Sequence, residues 1–329
     1  MKRKLPTRSD VVAAAKRIKG HVETTPVLRS AALDEIAGAN LLIKAECLQQ
    51  TGSFKLRGAT NRLLQIPKKQ RAAGVVAFSS GNHAQGVARA AKRLNMPALI
   101  VMPTDAPSVK TDGVKSDGAD VFLYDRNTES REEIAADIAR KRGAVLVPSF
   151  DDPMIIAGQG TVGLEFAAQA KALDLDLDHL ICCAGGGGLI TGICLGLLAG
   201  NADPKVWTAE PEGHDDWKRS LDAGKIQANA PGTRSICDAI LTPQPGALTW
   251  ALGQQFLTGG CVVTDAHAFE AMRLAFRQLR VVVEPGGAVA LAAALFRLPE
   301  DAKGKTIGVV LTGGNVDSRL FAKVLNREL

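Results

Sequence analysis

Aromatic residues are scarce: ten Phe, three Trp and one Tyr supply 4% of the 329 residues, while hydrophobic residues reach 46%. The core must therefore be aliphatic and rich in alanine, which suits layers of helix on sheet better than a β-sandwich. The length allows one large or two ordinary domains. No apolar run approaches the length of a membrane span. The stretch 11–15 is cut short by Lys16 and Arg17, too early for the apolar region of a signal peptide. The six cysteines have no CxxC spacing: Cys182 and Cys183 are adjacent, and Cys47, Cys194, Cys237 and Cys261 are scattered. That excludes zinc-ribbon and dithiol redox motifs and fits reduced thiols. The histidines (His21, His83, His179, His214, His267) lack metal-ligand spacing. Walker A, a strand-borne GxGxxG and GxSxG are all missing, which argues against ordinary ATP, NAD and α/β-hydrolase sites.

Charge of one sign is nearly absent from the body of the chain. The net charge is +6, but Lys2, Arg3, Lys4 and Arg8 contribute four positive charges before the first acidic residue, leaving +2 for the rest. A nucleic-acid binder carries its basic stripe on the folded domain, so no nucleic-acid partner is expected. A soluble cytoplasmic protein without a membrane partner is expected.

What the chain does have is alternation. Strand-like runs fall at 41–46, 75–78, 98–102, 120–124, 144–147, 180–184, 206–210 and 307–311. Helix-like stretches fall at 9–19, 54–65, 83–94, 105–117, 130–142, 156–171, 189–195, 265–280 and 286–296, with Ser9 or Asp10 capping the first and Asp265 the eighth. Such alternation implies parallel sheets covered on both faces. The fold class is α/β, with two doubly wound domains: a small one over 74–151 inserted into a large one made of 1–73 and 152–329. Ligands in such folds bind beyond the carboxyl ends of the strands.

At one of those ends stands Gly185-Gly186-Gly187-Gly188, between a buried strand and an apolar helix. Glycines let the backbone turn sharply and approach a ligand. The following helix start offers free N–H groups and the positive end of its dipole, which suits a phosphate. A tight turn without a ligand is the alternative. Lys55 follows Thr51-Gly52-Ser53-Phe54 at another helix start, where the dipole and burial both disfavour its charge. A neutral amine there can form a Schiff base with an aldehyde, although taken alone Lys55 reads as an ordinary surface lysine.

Ser53-Phe54-Lys55-Leu56-Arg57-Gly58-Ala59 resembles the cofactor-lysine motif of fold-type II pyridoxal-phosphate enzymes. Ser79-Ser80-Gly81-Asn82-His83-Ala84-Gln85-Gly86 is similar to their asparagine loop. Ala157-Gly158-Gln159-Gly160-Thr161, the tetraglycine and Thr312-Gly313-Gly314-Asn315-Val316-Asp317 complete the set, in the right order and across nearly the whole chain. Within that superfamily the sequence resembles the threonine/serine dehydratase and serine racemase group, whose fold is that of the tryptophan synthase β subunit.

The resemblance implies site residues. Lys55 would carry pyridoxal 5'-phosphate and serve as catalytic base, and Phe54 would pack beside the cofactor. Gly185, Gly186, Gly187 and Gly188 would bind its phosphate, Asn82 its ring hydroxyl and Thr312 its ring nitrogen. The family more often has Ser at the last position; Thr312 keeps the same hydrogen-bonding chemistry. Ser79, Ser80, Gly81, Asn82 and His83 would take the substrate carboxylate. Ser80 would act as a second catalytic group on the opposite face, as in serine racemases and hydroxyaspartate dehydratases, or else cap the helix near His83. Glu210, the carbonyl of His214 and Asp216 would hold Mg²⁺ or Ca²⁺, with K⁺ as the alternative; a solvated acidic loop is the bland reading.

The implied reaction is elimination of water from a small-molecule amino acid, L-threonine or L-serine, giving a 2-oxo acid and ammonia. 3-Hydroxyaspartate dehydration and serine racemisation are the alternatives within the group, and a non-catalytic amino-acid-binding relative lies outside it. A substrate with a β-carboxylate would need a cationic partner, and the sequence does not say which Arg or Lys faces the pocket. A homodimer or homotetramer is expected. The chain ends soon after the Thr312 motif, so no regulatory domain and no isoleucine feedback are expected.

Overall fold

A computed structural model describes residues 4–106 and 108–329; Lys2 and Arg3 of the basic arm lie outside them. The strands in chain order are β1 (Val27–Leu28), β2 (Asn40–Ala45), β3 (Val75–Phe78), β4 (Ala98–Pro103), β5 (Asp120–Tyr124), β6 (Val145–Leu146), β7 (His179–Cys183), β8 (Lys205–Pro211), β9 (Leu257–Val263) and β10 (Thr306–Leu311). They form two sheets. The larger runs β1-β2-β10-β7-β8-β9 and is parallel except where β1 meets β2. The smaller runs β5-β4-β3-β6 and is parallel throughout. Continuous apolar runs such as residues 41–43, 180–183 and 307–311 are buried because helices cover both faces of a parallel sheet. No helix among the described residues is long and apolar enough to cross a membrane.

Three helices meet behind the larger sheet at spacings that exclude side chains: Lys55–Leu64, Pro153–Ala172 and Gly188–Ala199. A Cβ on Gly158 would lie 2.7 Å from the Cα of Gly58, and one on Gly160 would lie 2.6 Å from the carbonyl oxygen of Gly192. The Ala157-Gly158-Gln159-Gly160-Thr161 stretch is thus a packing surface. Its Gln159 also accepts the Gly58 N–H at 3.1 Å.

Beside this crossing lies a closed network of charge. The Arg57 guanidinium, fully buried, bonds Glu46 at 2.8 Å and Glu165 at 2.7 Å, and Lys44 bonds Glu165 at 2.9 Å and Gln169 at 2.8 Å. Burial opposes the Arg57 charge, but the Glu46 and Glu165 carboxylates more than offset it and raise its pKa. Two cations facing two carboxylates leave no net charge in the interior.

Several boundaries differ from expectation. Thr7, rather than Ser9 or Asp10, caps the first helix, and Asp10 closes a reciprocal capping box by accepting the Thr7 N–H at 2.8 Å. Thr264, rather than Asp265, caps the helix Asp265–Leu274, which ends in a π turn, Ala275–Leu279, before Arg280 adopts a left-handed conformation. Strand β9 and the helices Ala31–Ala37, Asp216–Ala223 and Ala247–Phe256 were not expected.

Candidate active site

The ends of β3, β7 and β10 open onto one cavity, whose walls include Phe54, Lys55, Ser79 to His83, the tetraglycine and Thr312. Lys55 is the first residue of its helix. Its Nζ donates to the Ser149 carbonyl at 3.1 Å and lies 5.0 Å from the centre of the Phe54 ring. Enclosure of the amine lowers its pKa to about 8, against the opposing pull of Glu284.

The tetraglycine leaves β7 and enters the helix Gly188–Ala199 through Gly187, whose φ is 89°. The carbonyls of the turn are tied down behind it. Trp217 Nε1 donates to Gly185 at 2.6 Å, Thr249 Oγ1 to Gly186 at 2.7 Å and Thr191 Oγ1 to Gly187 at 2.8 Å. The N–H groups of a helix start lack intrahelical acceptors, and here they border the cavity. Phe150 and Trp217 press on the turn so closely that a Cβ at Gly188 would lie 2.9 Å from Phe150 and one at Gly187 would overlap the Trp217 ring.

Asn82 begins the helix Asn82–Arg93 and donates to Glu284 Oε1 at 2.5 Å, while Asn315 donates to its Oδ1 at 2.7 Å. Burial raises Glu284 to about 7. Ser79 Oγ accepts the Gly81 N–H at 3.2 Å. Gly81, not Ser80, is the helix cap, and among the described residues the Ser80 hydroxyl makes no hydrogen bond, so the capping role is not realised. His83 is buried; its Nε2 donates to the Val147 carbonyl at 2.9 Å, and burial with Lys55 nearby lowers it to about 3. A ring so hard to protonate is a neutral strut. Thr312 follows β10 and sets its Oγ1 3.3 Å from Cys183 Sγ.

Sequence reasoning did not find Lys110, Arg131, Asp238 and Glu284, which also line the cavity. Lys110 and Asp238 pair at 2.7 Å across its mouth. Arg131 lies over the Phe78 ring at 5.5 Å. One signal for Arg131 was available: it opens the helix Arg131–Arg142, where the helix dipole favours an anion over a cation.

The acidic loop lies apart from the cavity. Glu210 accepts the N–H groups of Trp217 at 2.8 Å and Lys218 at 2.9 Å, and Asp216 accepts from Asn229 at 2.7 Å. Burial, reinforced by Asp216, raises Glu210 well above the usual carboxylate range, and burial raises Asp216 to about 7. The second Asp216 oxygen is buried with no partner, as are both His214 ring nitrogens. Among the described residues no group of three or more His, Cys, Asp or Glu side chains is gathered to hold a metal.

Residues 18–313 match the family described as pyridoxal-phosphate dependent enzyme. The chain belongs to that family. It is 43% identical to an L-threo-3-hydroxyaspartate ammonia-lyase from Pseudomonas sp, over 98% of this chain and 99% of the relative. It is 38% identical to a serine racemase from Dictyostelium discoideum, over 97% and 98% of the two chains. Among solved structures, maize serine racemase superposes with a TM-score of 0.91 at 37% identity, over 99% of this chain and 98% of that one. Membership bears out the α/β fold class and the expected cofactor. The cavity of this pyridoxal-phosphate enzyme fits that group: it offers an amine of depressed pKa, a helix start for a phosphate and a buried hydroxyl at Thr312.

Proposed function

We propose that the protein is a pyridoxal-phosphate-dependent ammonia-lyase that removes water from a β-hydroxy amino acid, and that 3-hydroxyaspartate is preferred to threonine or serine. The observation that carries the lyase reading is the Lys55 amine, depressed to about 8, in a cavity shared with the glycine turn. The observation that favours hydroxyaspartate is the pair of cations on that cavity, Lys110 and Arg131. Both are ion-paired, Lys110 with Asp238 at 2.7 Å and Arg131 with Glu132 at 2.8 Å, and Arg131, whose planar guanidinium can meet a carboxylate through two N–H groups, is the group for a β-carboxylate. The 43% identity to a hydroxyaspartate ammonia-lyase supports the same choice.

Pyridoxal phosphate, bound through its aldehyde to Lys55, supplies the electron sink that makes an amino acid's α-hydrogen acidic. The protein's part is binding and proton handling. Backbone N–H groups of residues 185–188 hold the phosphate, Asn82 the ring hydroxyl and Thr312 the ring nitrogen, with Phe54 packed alongside. The segment 79–83 receives the α-carboxylate through turn and helix-start N–H groups. Lys55, as a neutral amine in the cavity, would remove the α-proton. The α-proton and the β-hydroxyl together would make up the water lost, and the enamine released would be hydrolysed by a second water to the 2-oxo acid and ammonia. Ser80, with its uncommitted hydroxyl, exchanges a proton on the other face, which makes racemisation a side activity. Residues 74–151 act as an inserted domain around the smaller sheet.

Glu210, Asp216 and the His214 carbonyl hold Mg²⁺ or Ca²⁺, with K⁺ as the alternative. The support is a pair of buried carboxylates, one with an unpartnered oxygen, which a cation would neutralise.

The test is a substrate panel on the cofactor-loaded protein: both 3-hydroxyaspartate diastereomers, L-threonine, L-serine and D-serine, scored for oxo acid and ammonia. Arg131→Met should raise KM for hydroxyaspartate by roughly tenfold or more, the worth of one charge-assisted hydrogen bond, and leave L-serine nearly unchanged. Higher kcat/KM on threonine or serine than on hydroxyaspartate, with no selective effect of Arg131→Met, would overturn the substrate choice.

A further inference from the structure

Cys182 and Cys183 are adjacent at the end of β7, so strand alternation sends them to opposite faces. Cys182 joins the apolar cluster around Val162, Phe166 and Ile190. Cys183 turns the other way, toward Ile181, Ile240 and Val263, and its position at the strand end brings it to the cavity wall. Its sulfur lies 3.3 Å from Thr312 Oγ1, and both residues are 4% exposed. Among the described residues this is the hydrogen bond that the Thr312 hydroxyl makes.

We propose that Cys183 is a positioning residue for the cofactor: its S–H donates to the Thr312 oxygen and so turns the Thr312 proton toward the ring nitrogen of bound pyridoxal phosphate. The inference rests on the assignment of Thr312 to that nitrogen. A hydroxyl has one proton and two lone pairs, and an unprotonated ring nitrogen can only accept. If the Thr312 proton pointed at sulfur, an oxygen lone pair would face the nitrogen lone pair. A thiol donating to the oxygen selects the opposite orientation, in which sulfur, oxygen and nitrogen form a chain running one way. Hydrogen bonds in such a chain polarise one another. An apolar residue at 183 would leave the hydroxyl free to rotate among its staggered positions.

The experiment is a cofactor titration of the apoprotein, read by visible absorbance and by the dissociation constant, for wild type, Cys183→Ala, Cys183→Ser, Thr312→Ala and the Cys183→Ala/Thr312→Ala pair. Cys183→Ala should weaken binding roughly three- to tenfold, the range for losing one neutral hydrogen bond, and shift the absorption maximum of bound cofactor. Cys183→Ser, a stronger donor of similar size, should restore both. The double variant should be no weaker than Thr312→Ala alone, because the thiol acts through that hydroxyl. Cys183→Val, which fills the space without a donor, replaces the alanine variant if that one unfolds. Binding and spectrum unchanged in both apolar variants, or losses that simply add in the pair, would overturn the role of Cys183. A wild type that takes up no cofactor would instead overturn the functional reading itself.

Discussion

Capture of the cofactor should titrate with Lys55. Only the neutral amine attacks an aldehyde, and enclosure in the cavity lowers Lys55 to about 8 from an ordinary lysine value of 10.5. At pH 7 roughly 9% of such amines are neutral, against roughly 0.03% for an unperturbed lysine, an advantage of about 300-fold. Between pH 7 and pH 9 the neutral fraction should rise about tenfold and then level off, whereas an unperturbed lysine would gain about 100-fold and keep climbing. The stability linkage has the same origin. The folded protein binds fewer protons than the unfolded chain between about 8 and 10.5, so the cost of enclosing the ammonium is full below pH 8 and is relieved as pH rises through that window. The assay is stopped-flow reconstitution of apoprotein with excess pyridoxal phosphate, followed at the absorbance of the bound cofactor from pH 6 to 10.5. Lys55→Arg serves as the variant that cannot react. A rate that still climbs steeply above pH 9, or one whose midpoint lies near 10.5, would refute the argument that enclosure tunes this amine.

Gly187→Ala imposes a positive φ on a residue with a side chain and drives its methyl into the Trp217 ring; together these should cost about 2–4 kcal/mol in urea unfolding. Arg57→Met leaves the buried Glu46 and the Glu165 carboxylate without their guanidinium; the loss should be about 3–5 kcal/mol by the same measurement, and the combined Arg57→Met/Glu46→Gln protein should recover part of it. Millimolar Mg²⁺ or Ca²⁺ should raise the melting temperature of the wild type and not of Asp216→Ala; equal shifts in the two would remove the acidic loop as the cation site.

The site was legible where one short stretch of sequence contains both the reactive group and the backbone that aims it. The strand, glycine turn and helix start at 179–199 form such a unit, whereas Lys55 taken alone reads as a surface lysine and is singled out by the resemblance carried by residues 53–59. Arg131 was not found, because its place at a helix start marks it only as unusual, and its position on the cavity wall depends on contacts distant in sequence. Strand β9 was missed for a related reason. Gly259 and Gly260 make it read as a loop, yet a Cβ on Gly259 would lie 2.8 Å from the Trp207 ring and one on Gly260 would lie 2.6 Å from Thr208 Oγ1 on the neighbouring strand. Its glycines answer to packing on β8. Likewise the Gly158 and Gly160 stretch, which carried part of the family resemblance, lets its helix touch the helix that Lys55 opens and the helix that follows the tetraglycine.

The order of the larger sheet bears on how the chain is made. Its last strand is not at an edge: β10 inserts between β2 and β7, pairing Leu311 with Ala45 and Val309 with Ile181. During synthesis the smaller sheet, contiguous from 75 to 146, can form as it emerges, while β2 and β7 wait with open edges for a partner made after all the other described strands. Such edges invite the wrong partners until they are closed. Thr312 arrives directly after that strand, so the cavity is finished only when the sheet is. Cofactor added during translation should therefore rescue completed chains and leave those stalled before 306 to aggregate.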